Sequence, residues 1–263
     1  MVDTIYNENC LDTMKRLDDE VIDLVVTSPP YDDMRTYGGY SFDFENVAKE
    51  LTRTLKPGGV IMWNVADQTK NGTRSGTSFR QALYFMEECG LKLYDHLIWK
   101  KNGTPFPSTV RYRNVWENMF IFSKGKPKHF DPILKRNATG GAVRNHRRER
   151  DSDGQLQRVN RRIQVKEWGI DDNVWNISNH FKKTDMRRIG AHPAIMPEEM
   201  AERHIKTWSQ KGDLVYDPFS GSGTTSKVAF EMERKYLGSE MNKEYYDSSI
   251  ELLNDTKHKR QFF

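Results

Sequence analysis

Two consecutive prolines, Pro29-Pro30, end the run Val21-Ile22-Asp23-Leu24-Val25-Val26, and they constrain the fold more than any other feature of the chain. The run is rich in β-branched residues and has the length of a buried strand. Neither proline can donate to a sheet ladder, so the strand stops where they begin. Their fixed φ angles leave a stiff turn with outward-facing carbonyls at the strand's carboxyl end, where open α/β sheets bind ligands. In Thr27-Ser28-Pro29-Pro30-Tyr31, Ser28 adds a small hydrogen-bonding group and Tyr31 a flat ring. Acceptors beside a stacking surface suit a planar heterocycle with an exocyclic NH₂. Pro, Ser and Tyr are also ordinary loop residues, so these five positions alone leave a plain strand-ending turn open.

A second stretch narrows the choice. Asp213-Leu214-Val215-Tyr216-Asp217 reads as a strand, Pro218-Phe219-Ser220-Gly221-Ser222-Gly223-Thr224-Thr225 follows, and an apolar helix runs from Ser226 to about Glu233. Strand, glycine turn and helix together expose backbone N–H groups at a helix N-terminus, suited to an anionic group. The turn lacks the Gly-Lys-Ser/Thr ending of a P-loop and has Ser226 at its third glycine position, so neither nucleotide motif fits cleanly. Tyr236-Leu237-Gly238-Ser239-Glu240 is a short strand ending in a carboxylate about 20 residues beyond the glycines, where a Rossmann-like fold places the acid that holds ribose hydroxyls.

The two elements, S-P-P-Y first and F-x-G-x-G last, resemble the permuted (β-type) exocyclic-amino DNA methyltransferases that use S-adenosylmethionine. Leu51-Thr52-Arg53-Thr54-Leu55-Lys56-Pro57-Gly58-Gly59, Arg113-Asn114-Val115-Trp116-Glu117 and His192-Pro193-Ala194 look like further motifs of that family, in its order. The resemblance implies an α/β fold: a circularly permuted, Rossmann-like seven-stranded sheet with helices on both faces. It divides the chain into a catalytic and cofactor-binding domain, 1–123 with 189–263, and a target-recognition insertion, 124–188. A chain of 263 residues suits one large domain with an insertion. Charge follows the same division. Net charge is +4, yet Lys124 to Arg188 holds 17 Lys/Arg against 8 Asp/Glu, leaving the remainder slightly acidic. Such segregation is the footprint of a polyanion-binding face.

Cys10 and Cys89 make no disulfide framework and sit in no Cys-x-x-Cys or Cys/His cluster, so a reducing cytoplasm and the absence of a structural metal are expected. No apolar run approaches 18 residues and no signal-peptide pattern opens the chain, so no membrane association is expected.

The resemblance assigns Ser28, Pro29, Pro30 and Tyr31 to the target base. It assigns Asn9, Cys10, Thr27, His192, Asp217, Phe219, Ser220, Gly221, Ser222, Gly223, Thr224, Thr225 and Glu240 to S-adenosylmethionine. Asn9 stands where relatives usually carry Asp, so it can accept from the cofactor's adenine amino group only as a neutral amide; it can equally serve as a helix N-cap. Arg35, Arg144, Arg147, Arg148, Arg158, Arg161 and Arg162 are candidates for contact with double-stranded DNA, arginine suiting both phosphates and base edges. Ser at position 28 favours the N4 of cytosine over the N6 of adenine, by analogy with relatives. Carbon-5 methylation would need a cysteine after a proline, which neither cysteine provides. A base inside a duplex must be flipped out to reach such a site. Methylation of protein or RNA, and a DNA-binding module with an inactive core, are competing readings. A cognate restriction endonuclease and a homodimer are partnerships the resemblance leaves open.

Elsewhere, the pattern predicts a helix over Phe44 to Leu55 closed by Lys56-Pro57-Gly58-Gly59. It predicts another over Ser78 to Cys89 that turns Phe79, Leu83 and Met86 to the core. By resemblance, the strands Leu91 to Trp99 and Arg113 to Phe122 form an antiparallel pair at the sheet's far edge. Trp168, Trp175 and Ile177 are expected to pin the insertion, and the tail Lys257-His258-Lys259-Arg260 to fray.

Overall fold

The computed structural model of the chain describes residues 2–30, 42–102, 109–145, 147–159, 162–178 and 195–260. The chain forms two compact units, Met1–Asp131 with Asn173–Phe263, and Pro132–Asp172. The first unit opens with strand β1 (Thr4–Tyr6) and helix α1 (Cys10–Lys15). β2 (Ile22–Thr27) is buried along its whole length, as expected for a strand covered on both faces. α2 (Phe44–Thr54) is capped by the Asp43 side chain and runs directly into β3 (Leu55–Val65). The expected stop at Lys56–Gly59 is therefore the first part of a strand, in which Gly58 takes φ 77°. A hairpin of β4 (Thr69–Lys70) and β5 (Thr73–Arg74) leads to α3 (Thr77–Glu87), β6 (Lys92–Lys101) and β7 (Trp116–Ser123).

The second unit is a nested antiparallel ribbon. Its strands are β8 (Leu134–Arg136), β9 (Val143–Arg144), β10 (Arg147–Arg150), β11 (Leu156–Val159), β12 (Ile163–Gln164) and β13 (Trp168–Ile170). They pair as β8 with β13, β9 with β12 and β10 with β11. The first unit then resumes with β14 (Val174–Ile177), α4 (Glu198–Trp208), β15 (Leu214–Asp217), α5 (Thr224–Glu231), β16 (Lys235–Ser239) and α6 (Lys243–Arg260).

The main sheet has the order β1-β16-β15-β2-β3-β7-β6-β14, eight strands among the described residues. Its first five strands are mutually parallel, and β7 runs antiparallel to both β3 and β6. The β6–β7 pair is not the edge. β14 adds an eighth strand beyond it, parallel to β6, because Trp175 and Ile177 bury there and Trp99 Nε1 donates to the Ile177 carbonyl at 2.9 Å. Side chains alternate along the inner strands, so the sheet separates two cores. Val25, Ile61, Trp63 and Phe122 pack with α1, α2 and α3 on one face. Leu24, Val26, Met62 and Ile121 pack with α4, α5 and α6 on the other.

Three local expectations are corrected. α3 turns Phe79, Leu83 and Met86 outward, at 56%, 48% and 38% exposure, and buries Ser78, Gln81, Ala82 and Phe85 instead. Gln81 Oε1 accepts from the buried Trp63 Nε1 at 2.9 Å, and satisfying that indole N–H outweighs burying the alternative stripe. Trp168 is 54% exposed, whereas Trp175 stacks obliquely on His204. The basic tail is helical to Arg260, with Lys257 over the Tyr236 ring and Arg260 over that of Phe230. Among the described residues, no helix is long and apolar enough to cross a membrane.

Gly238 sets how closely the glycine turn lies against β16. A Cβ there would meet Ser220 Oγ at 2.2 Å and Ile5 Cγ1 at 3.0 Å. Gly238→Ala is therefore expected to cost about 1–3 kcal/mol, the range for overpacking. Adding Ser220→Ala, which removes the clashing oxygen, should restore part of the loss. Urea denaturation of the two variants checks this; equal stability of single mutant and wild type would refute the close approach.

Candidate active site

β2 and β15 are parallel neighbours, with Leu24 opposite Val215 and Val25 opposite Tyr216. The chain leaves β2 toward β3 on one side and β15 toward β16 on the other, so their carboxyl ends form a topological switch point. The proline turn and the glycine turn both begin there. Two hydrogen bonds join them: Thr27 Oγ1 donates to Asp217 Oδ1 at 2.7 Å, and Thr225 Oγ1 to the Val26 carbonyl at 3.3 Å. The carboxyl ends of β1 and β16 complete a row of four.

Over that row lies a cavity of about 300 Å³, within the range of small-molecule sites. Asn9 and Cys10 line it from the start of α1, Ser28, Pro29 and Pro30 from the end of β2, and Glu240 from beyond β16. Asp217, Phe219, Ser220, Gly221, Ser222, Thr224 and Thr225 line it from the glycine turn. Thr27 and Gly223 are not among the lining residues. Thr27 is fully buried and donates to Asp217, which does line the cavity. Gly223 takes φ 83° as the residue before α5, and a Cβ there would meet Ser249 Cβ at 2.8 Å. Tyr31, Arg35, Arg161 and His192 lie outside the described residues.

Glu240 is tied at both oxygens. Gly221 N–H donates to Oε2 and Asn242 N–H to Oε1, each at 2.8 Å. Each oxygen keeps acceptor capacity for a ligand hydroxyl. Burial raises its pKa. The Asp217 carboxyl is pushed up to about 6, chiefly by burial, against hydrogen bonds from Thr27 and the Phe219 N–H that favour the charged form. Those hydrogen bonds favour its charged form beside the cavity, where it would attract a cationic ligand group. Burial pushes the Cys10 thiol up to about 12, which leaves it protonated and non-nucleophilic. Asn9 Oδ1 accepts from the Leu11 N–H at 2.9 Å as the N-cap of α1, with a second lone pair still available. Phe42, edge-on to Phe219 at 5.3 Å, closes one side with Val47. An anionic carboxyl, a hydroxyl-accepting carboxylate and aromatic walls together suit a nucleoside that carries a positive charge.

Several lining residues carry no motif in the sequence, among them Phe42, Met196, Met241, Asn242 and Tyr245. Asn242 and Tyr245 closely follow Glu240, and that adjacency is the one available signal. In the second unit, Arg144 lies on β9, Arg147 on β10, and Arg162 just before β12. Arg148 and Arg158 are direct cross-strand neighbours on β10 and β11, both exposed.

The profile of a family described as DNA methylase matches residues 22–251. The chain is 47% identical over 251 residues to "Orphan methyltransferase M.BamHII" of Bacillus amyloliquefaciens, covering 94% of each protein. Its fold is similar to that of the solved "PvuII DNA methyltransferase (cytosine-N4-specific)", with TM-score 0.70 and 24% identity over 97% of this chain and 91% of that one. It is also similar to the solved M1.HpyAVI–SAM complex, with TM-score 0.59 and 20% identity over 95% and 98% of the two chains.

Proposed function

The chain belongs to the DNA methylase family of N4/N6 amino-methyltransferases, and we propose that it methylates the exocyclic N4 of a flipped cytosine within a defined duplex site. It is an S-adenosylmethionine-dependent, site-specific DNA methyltransferase. The observation that carries the residue-level reading is that Ser28-Pro29-Pro30 and the Asp217–Glu240 elements, some 190 residues apart in sequence, line one cavity.

When bound, the cofactor supplies a methyl group already activated on a sulfonium. Glu240 would accept from its ribose hydroxyls and Asn9 from its adenine amino group, and Phe219 and Phe42 would flank its apolar surface. The anionic Asp217 attracts the positive charge. On the other side, Ser28 Oγ and the Pro29 carbonyl accept the two hydrogens of the target amine. That pulls its nitrogen toward the sp³ geometry from which its lone pair can attack. Orienting the target amine toward that methyl group would by itself lower the barrier by several kcal/mol, the order expected from positioning alone. A serine hydroxyl is a poor base at neutral pH, so the amine proton leaves after transfer.

The DNA-facing element in this reading is the 124–188 segment, which contains the Pro132–Asp172 ribbon. Like charges directly opposite each other destabilise a hairpin, yet Arg148 pairs with Arg158. A two-stranded ribbon fits the major groove, where arginine reads guanine and grips phosphate. Ser28 supports cytosine N4 over adenine N6, and the solved relative at TM-score 0.70 is named as cytosine-N4-specific.

The test is labelled methyl transfer to duplex DNA, followed by digestion to nucleosides and mass analysis. N4-methylcytosine is expected. N6-methyladenine would overturn the base assignment, and cofactor binding with no labelled DNA would favour an inactive DNA-binding module.

A further inference from the structure

Resting on the reading that Ser28 meets the target amine, we propose that Asn64 is a positioning residue for Ser28, itself held in one orientation by Glu117. Asn64, near the end of β3, is 2% exposed, and Glu117 on the neighbouring strand β7 is 5% exposed. Asn64 Nδ2 donates to Glu117 Oε2 at 2.8 Å and to Ser28 Oγ at 3.3 Å. A carboxylate can only accept. Glu117 therefore decides which end of the Asn64 amide faces it, and the same NH₂ group also faces Ser28. Lys101, on β6, pairs with the other Glu117 oxygen and balances its buried charge.

This chain of contacts is expensive for a sheet interior, where apolar side chains of similar volume hold strands together without desolvating a carboxylate and an amide. What it achieves is directional. Ser28 Oγ accepts a hydrogen bond from Asn64, which restrains its rotamer and the orientation of its hydroxyl. Reversing the amide would present a carbonyl to Ser28 and draw its hydroxyl hydrogen inward, reorganising the acceptor that the amine needs.

Full-length Asn64→Ala, Glu117→Gln and Glu117→Asp should be compared with wild type on a duplex that the wild type labels. Single-turnover methyl transfer, cofactor Kd and thermal midpoint are measured for each. Asn64→Ala is expected to slow transfer about 10–30-fold with cofactor Kd changed less than about twofold. Glu117→Gln keeps the volume but lets the amide turn round, and it should lose at least about fivefold. Glu117→Asp, still acceptor-only, should retain more of the rate than Glu117→Gln. Wild-type rates in both Asn64→Ala and Glu117→Gln would overturn the inference, as would rate losses that merely track lost cofactor affinity. If Asn64→Ala folds poorly, Glu117→Gln decides alone. A wild-type protein that binds cofactor but labels no DNA overturns the methyl-transfer reading itself, and this inference with it, before any variant is made.

Discussion

A Ser28→Ala enzyme is expected to bind S-adenosylmethionine as tightly as wild type and to transfer its methyl group about 10²–10³-fold more slowly, the loss typical when one preorganised hydrogen-bonding group is removed at a reacting centre. That corresponds to roughly 3–4 kcal/mol of transition-state stabilisation, at about 1.36 kcal/mol per tenfold. The substitution removes one oxygen and leaves the Pro29-Pro30 turn in place. It also leaves the hydrogen bonds of Glu240 and Asp217, which are made to the glycine turn, Asn242 and Thr27. A turnover defect without a binding defect is therefore the signature. Single-turnover labelling gives the rate and calorimetry the Kd; an unchanged rate constant refutes the role of Ser28.

How much of the fold is legible in the sequence depends on whether local chemistry or distant partners decide the outcome. β2 is legible because a continuous apolar run covered on both faces needs no partner to be recognised, and because two prolines have nowhere else to go. The glycine turn is legible because Gly223 at φ 83° must be glycine or strained. α3 is legible as a helix but not in its rotation. Two stripes of similar spacing compete on it, and the choice falls to Gln81, whose partner Trp63 sits 18 residues away on another strand. β14 reads in sequence as no more than an anchoring segment, because four residues in irregular surroundings carry little periodic signal. Only the β6 edge makes a strand of them.

The site divides along the same line. Ser28, Asp217 and Glu240 sit at the ends of recognisable strands, and each is named by its motif. The motif points to Thr27 as a cofactor contact, and the structure shows it fully buried and bonded to Asp217. Asn64 carries no signal, being one polar residue in an apolar strand. Glu117 stands out only as part of a motif with no role attached. Both acquire meaning through the pairing of β3 with β7, where Val65 lies opposite Asn118 and Asn64 opposite Met119. Such networks are set by sheet register, which no local pattern of the two strands encodes.

Glu240→Ala should produce the opposite phenotype to Ser28→Ala, namely a cofactor Kd raised about 100-fold. A charge-assisted hydrogen bond contributes roughly 1.5–3 kcal/mol. The carboxylate is argued to accept from ribose hydroxyls while already accepting from Gly221 and Asn242 N–H. Removing it both deletes the ligand contact and releases two backbone donors that shape the glycine turn, so about 3 kcal/mol is the expected sum. Glu240→Gln separates the two parts. Its single carbonyl can satisfy one of the two N–H groups, but its NH₂ must face the other as donor against donor. Gln should therefore recover less affinity than its shape suggests. At saturating cofactor, both variants should regain most of the wild-type transfer rate, because neither touches Ser28 or the proline turn. Calorimetric titration at matched salt and pH checks the affinity, and a Kd within about threefold of wild type for Glu240→Ala would remove this residue from the cofactor site.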